Sequence, residues 1–238
     1  MGKMIQIRAT DSSATFSGYL ALPASGRGPG VVIGQEIFGV NANMRAVADF
    51  YAEEGYVALV PDLFWRLQPG VDLGYTEADF AVAIDLFQRL DMDKAVSDID
   101  ASFKALRALP EVEGPGLGYV GFCMGGKLAW LTATRTDVAC AVGYYGMGIE
   151  HLLHESENLK GRLVLHFAEN DGFCDASARA QISEHLAGND KAEIYLYPGV
   201  DHAFARAGSS HFDKSASLMA HERSIAALKR EIGPHFNL

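Results

Sequence analysis

Cys123 stands in the run Gly121-Phe122-Cys123-Met124-Gly125-Gly126, a thiol placed where a buried strand is expected to turn sharply into a helix. Glycines suit such a bend because a nucleophile on a tight strand-to-helix turn takes strained backbone angles and leaves no room for neighbouring Cβ atoms. The helix that begins beneath the sulfur puts its partial positive charge there, which favours thiolate over thiol. A sulfur nucleophile also needs a base to take its proton and return it to the leaving group, and an acid to orient that base. The chain supplies Asp171, ahead of Gly172, and His202, in Asp201-His202-Ala203-Phe204. Singly neither is diagnostic: His202 is one of eight histidines, and Asp175 rivals Asp171 four positions on. Jointly they give the order nucleophile, acid, histidine, which among triad enzymes is particular to α/β-hydrolases.

Acyl transfer further requires donors aimed at an oxyanion. In that fold these are the backbone N–H after the nucleophile, here Met124, and one from the loop after the third strand, here near Ile37. Glu36 precedes the second donor in the mostly apolar stretch Gly34-Gln35-Glu36-Ile37-Phe38-Gly39-Val40-Asn41, so a buried carboxylate beside the sulfur is expected. Tyr144 and Tyr145 follow a buried strand, where such aromatics either line the pocket or pack in the core or rim. Cys123, Asp171, His166 and His202 are a conceivable metal set, but their spacing follows no zinc pattern.

The elements that must position these groups alternate. Residues 4–10 and 15–22 read as a hairpin, and strands are expected at 30–34, 57–60, 118–122, 138–145, 162–167 and 193–197. Helices are expected over 43–54, from a Thr76/Asp79 capping box towards Leu90, through Val96, Ile99, Phe103 and Leu106 on one face, from Met124, over 176–186, and over 215–231. This pattern predicts a mostly parallel eight-stranded sheet with helices on both faces and ligands at the carboxyl ends of the strands. Residues 63–74 are irregular and bulky, suited to a partial lid.

Composition narrows the function classes. At 238 residues and 49% hydrophobic content, one domain spanning 1–238 is expected, and the formal charge of −10 disfavours nucleic acid and anionic membranes as partners. Three widely spaced cysteines, Cys123, Cys140 and Cys174, suit a reducing compartment, and no signal-like or membrane-spanning run is present. The expectation is a soluble cytoplasmic monomer acting on a small molecule, with Cys140 and Cys174 inert.

On these residues the chain resembles the dienelactone hydrolase (carboxymethylenebutenolidase) family of α/β-hydrolases, which use cysteine in place of serine. The resemblance runs from about Ser17 to the last helix. It rests on Gln35-Glu36-Ile37-Phe38-Gly39-Val40-Asn41, Pro61-Asp62-Leu63-Phe64, Gly121 to Gly126, Ala141 to Gly146, Asp171-Gly172 and His202 to Arg206. It implies that Cys123 attacks a lactone carbonyl, His202 shuttles the proton, Asp171 holds the imidazole and Glu36 helps generate the thiolate. It also implies that Arg206 pairs with a substrate carboxylate, and that no metal or organic cofactor is used. The implied reaction opens dienelactone to maleylacetate in the catabolism of chlorinated aromatics. Two positions depart from the family: Asp79-Phe80-Ala81-Val82 has no second arginine, for which Arg66 or Arg89 would have to substitute, and Ala203 stands where serine is frequent. A general carboxylesterase or thioesterase is therefore the near alternative, and a thiol sensor the alternative of another class.

Overall fold

A computed structural model describes residues 2–12 and 14–233. The chain divides into two compact units, one running up to Gly118 and the other Tyr119–Ile232.

The first unit opens with the expected hairpin, β1 (Lys3–Arg8) antiparallel to β2 (Thr15–Ala21). Next come β3 (Gly28–Gly34), α1 (Ala42–Glu53) and β4 (Val57–Pro61). Strand β2 pairs antiparallel with β4, whereas β3 pairs parallel with it, Val31 opposite Ala58. Every residue of β3 and β4 is buried, as continuous apolar runs require when both faces of a sheet are covered. Helix α2 (Glu77–Arg89) begins on the Thr76/Asp79 capping box, and α3 (Met92–Arg107) buries Val96, Ile99, Phe103 and Leu106 as their spacing demands.

Strand β5 (Val112–Phe122) starts six residues before the expected Gly118. Its leading half, through Glu113 and Pro115, is largely exposed, with Gly114 at φ 84°, so the apolar run marked only the buried half. Residues 63–76 are irregular, as expected, yet they are firmly held. Arg66 clamps Asp98 through Nε and Nη2 (2.9 and 2.8 Å), its guanidinium lies 4.3 Å from the Trp65 ring centroid, and Trp65 stacks on Phe16.

The second unit carries α4 (Met124–Arg135), β6 (Cys140–Tyr144), β7 (Arg162–Ala168), α5 (Ala176–His185), β8 (Ala192–Tyr197) and α6 (Lys214–Ile232). Strands β6, β7 and β8 are parallel, Val142 opposite Val164 and Leu165 opposite Ile194. Trp130 of α4 is fully buried. Two 3-10 turns, Ile149–His151 and Leu153–Asn158, had no periodicity to announce them. Glu155 in the second is held by Arg135 through two hydrogen bonds of 2.9 and 2.7 Å. The strand order across the sheet is β1-β2-β4-β3-β5-β6-β7-β8, mainly parallel. Among the described residues no helix is long and apolar enough to cross a membrane.

Candidate active site

Cys123 links β5 to α4 at φ 56° and ψ −110°, a conformation that side chains other than glycine rarely tolerate. Its N–H donates to the Tyr144 carbonyl at 3.0 Å and its own carbonyl accepts from Lys127 N–H at 3.2 Å, so the strained turn is fixed from both sides. The flanking glycines are steric necessities. A Cβ on Gly121 would lie 1.9 Å from the Gly125 carbonyl oxygen, and one on Gly126 would lie 2.4 Å from that of Tyr144. Met124 opens α4, where first-turn N–H groups lack intrahelical acceptors, which suits it to the oxyanion role.

Asp171 and His202 are brought together by the exits of β7 and β8. Glu169 N–H donates to Tyr197 O at 3.0 Å and Asn170 N–H to Val200 O at 2.9 Å, lacing the two loops. His202 Nδ1 then meets Asp171 Oδ2 at 2.8 Å, while Phe173 N–H donates to Asp171 Oδ1 at 2.8 Å. The rivalry with Asp175 is thereby resolved, because Asp175 caps α5 by accepting from Ala178 N–H at 2.9 Å. On the far side of the imidazole, Nε2 is buried and lacks a hydrogen bond of normal geometry, and the Cys123 sulfur is within interacting reach. Burial works against the imidazolium, but the Asp171 hydrogen bond and the sulfur outweigh it and raise His202 to about 10. A buried ring nitrogen beside a sulfur is the arrangement that proton exchange between the two needs.

Backbone strain concentrates here. Among the described residues four that are not glycine have positive φ, and three of them, Cys123, Tyr145 and Ala203, lie at or next to these groups. Arg206 follows in the half-buried turn after His202, its N–H donating to Ala203 O at 2.9 Å.

Of the two tyrosines, Tyr144 takes the packing role. It is fully buried, its hydroxyl 2.7 Å from Ser224 Oγ and 3.1 Å from His221 Nδ1, so its ring is a core element. Its neighbour Tyr145 instead packs on the His202 imidazole, centroids 4.9 Å apart. His166, the conceivable metal ligand, uses both ring nitrogens, on Tyr197 OH (2.9 Å) and Ser224 Oγ (3.0 Å). Cys140 and Cys174 are buried, which pushes each thiol up to about 12 and keeps it protonated and unreactive.

Tyr197, His166, Ser224, Tyr144 and His221 form a buried chain of hydrogen bonds. Ser224 donates to Ala220 O (2.8 Å), so its oxygen accepts from Tyr144 and His166, and Arg223 donates to Tyr197 OH at 3.2 Å. Burial lowers His221 to about 4, and burial with the charges of His221 and Arg223 drives His166 well below its ordinary value. Bases depressed in the folded state contribute stability that is present above about pH 6.5 and is lost as the pH falls towards 4, by on the order of 1.4 kcal/mol per pH unit for each. His202, raised, has the opposite sign: its contribution is present below about pH 6.5 and lost as the pH rises through about 10. Urea midpoints measured from pH 7 to 4 are expected to fall less steeply for His221→Gln than for the unsubstituted protein.

In the first unit, Glu36 and Ile37 lie just beyond β3 and are buried, 1% and 5% exposed. The loop is fixed by Gln35, whose amide donates to Glu36 O at 3.3 Å and whose oxygen accepts from Leu63 N–H at 3.0 Å. Both substitute arginines have carboxylate partners, Arg89 in an exposed pair. Arg66 is paired with Asp98 and with Asp11 at 3.0 Å, and Arg89 with Asp85 at 2.7 Å.

A mainly parallel sheet that presents a strained elbow residue, an acid and a histidine at the exits of three strands defines the α/β-hydrolase class. The model of the dienelactone hydrolase family matches residues 16–232, and the chain belongs to that family, a family of hydrolases acting on carboxylic esters and lactones. It is 38% identical to the carboxymethylenebutenolidase of Pseudomonas sp. strain P51 over 90% of each chain. It is 37% identical to that of Pseudomonas putida over 93% of each. A dienelactone hydrolase-like promiscuous phosphotriesterase from metagenomic libraries shares the fold, with TM-score 0.81 at 18% identity over 98% of this chain and 99% of that one.

Proposed function

We propose that the protein opens a carboxylate-bearing lactone, such as dienelactone to maleylacetate, through a thioacyl intermediate on Cys123. The observation that carries this reading is the His202 imidazole, bound to Asp171 through Nδ1 and left with a buried, unsatisfied Nε2 beside the elbow sulfur. Sulfur adds to the lactone carbonyl with the shuttled proton held on the His202 imidazole, and the oxyanion is met by N–H groups of Met124 and Ile37. The ring C–O bond then breaks and the departing oxygen receives the proton from His202. Water next gives a proton to His202 as it attacks the thioester, releasing the second carboxylate and returning the sulfur. Glu36 assists formation of the thiolate, and Arg206 pairs with the substrate carboxylate, a task its planar guanidinium suits. No metal or organic cofactor and no second subunit enters this scheme.

A second reading, a hydrolase of neutral esters or thioesters with the same groups, is favoured by one observation. Helix α2 carries Phe80 and Val82, both exposed, where a second cation would be expected, and Arg66 and Arg89 are engaged elsewhere. Turnover of dienelactone isomers against a neutral aryl ester separates the two. The lactone is expected to be preferred, with Arg206→Ala raising KM for carboxylate substrates about tenfold or more and leaving neutral esters nearly unaffected. A wide preference for the neutral ester would defeat the lactone reading.

A further inference from the structure

Phe173 is the most exposed large apolar side chain among the described residues, at 57%, two positions after the acid. Hydrophobic burial does not explain its position, since a phenyl ring left in water forgoes roughly 2 kcal/mol of transfer free energy. Its contacts do. The Phe173 N–H donates to Asp171 Oδ1 at 2.8 Å, so that Asp171 Oδ2 is the oxygen turned to His202. The Phe173 ring meets the same imidazole edge to face, centroids 4.9 Å apart at 66°. Tyr145 makes the corresponding contact at 4.9 Å and 60°, but from the core, where it is buried. The imidazole is therefore gripped by one buried ring and one exposed ring, and the exposed one belongs to the residue that fixes the acid.

We propose that Phe173 is a positioning residue: its backbone sets the rotation of Asp171, and its ring restrains the His202 imidazole while shielding the Asp171–His202 hydrogen bond from water. This rests on the triad reading given above. A histidine that must face the sulfur in one step and a leaving oxygen or water in the next has to keep its plane while protons change hands. A misplacement of about 1 Å at such a group lowers turnover about a hundredfold. Aromatic contacts of this geometry supply the restraint without adding a competing hydrogen-bond partner to Nε2.

The test is Phe173→Ala, which removes the ring and keeps the backbone N–H, compared with Phe173→Tyr, which keeps the ring. In Phe173→Ala, kcat is expected to fall about tenfold to a hundredfold with KM changed less than about threefold. The His202 ring protons followed by NMR are expected to titrate at lower pH than in the unsubstituted protein, because water weakens the bond to Asp171. Phe173→Tyr is expected to restore both, and the urea midpoint of Phe173→Ala should fall by no more than the lowered His202 titration accounts for, because the ring itself is exposed. The NMR titration needs no turnover, so it decides the proposal even if His202→Ala were to remain active and the triad reading failed. An unchanged titration in Phe173→Ala overturns the proposal. So does a rise in KM with kcat intact, which would make the ring a wall of the substrate site.

Discussion

Replacing Cys123 by alanine is expected to lower hydrolysis a thousandfold or more while the protein remains folded, and His202→Ala is expected to do the same. Members of a nucleophile–base unit act together, so loss of either removes nearly all of its effect. The fold should survive because sulfur is a small part of a well-filled surround, in which Cys123 is 4% exposed, and its backbone bonds to Tyr144 and Lys127 are kept in the alanine variant. Initial rates on an aryl ester together with circular dichroism check both halves of the statement. Undiminished hydrolysis by Cys123→Ala would remove the covalent mechanism and favour the view of Cys123 as a sensor or a packed thiol.

The second large effect is structural. Gly121→Ala places a methyl group 1.9 Å from the Gly125 carbonyl oxygen, 2.3 Å from the Gly125 carbonyl carbon and 2.7 Å from the Tyr119 ring. Two of those three atoms are backbone at the start of α4, and Tyr119 hydroxyl itself donates to the Gly125 carbonyl at 3.1 Å, so no flexible side chain is available to give way. Either the end of β5 or the first turn of α4 must shift, at a cost expected to exceed about 4 kcal/mol. The measurement is a chemical denaturation curve, with Gly172→Ala as the control. A Cβ on Gly172 meets nothing within 4 Å, so that variant should unfold within about 0.5 kcal/mol of the unsubstituted protein. Equal stability of the two variants would mean that the elbow is looser than its packing indicates.

The elbow and the order of its partners are legible in the sequence because their constraints are local. Glycines at 121, 125 and 126 announce a close backbone approach, and an acid and a histidine just past apolar strands announce a site at strand ends. The choice of Asp171 over Asp175 depends on where α5 starts: once a helix is placed at residue 176, its preceding aspartate is the natural cap. Tyr144 is different in kind. Tyr144 and Tyr145 are adjacent and chemically alike, and what keeps the first inside is a hydroxyl bonded to Ser224 and His221, 80 and 77 residues away on α6. No local pattern carries that pairing. Strand β5 was misjudged at its start for a related reason, since its exposed half holds Gly and Pro and lacks the apolar run by which buried strands are recognised. Phe173 went unnoticed because a lone aromatic after a turn resembles any rim residue until its contact with His202 is seen.

The chain has two tryptophans, and they are apportioned one to each compact unit, Trp65 in the first and Trp130 in the second. Trp65 is stacked on Phe16 under a guanidinium, whereas Trp130 is buried in the helix that follows Cys123, so their emission answers to different surroundings. A Trp65→Phe protein would keep Trp130 as its single tryptophan, whose selectively excited emission reports on the surroundings of the unit that holds Cys123, Asp171 and His202.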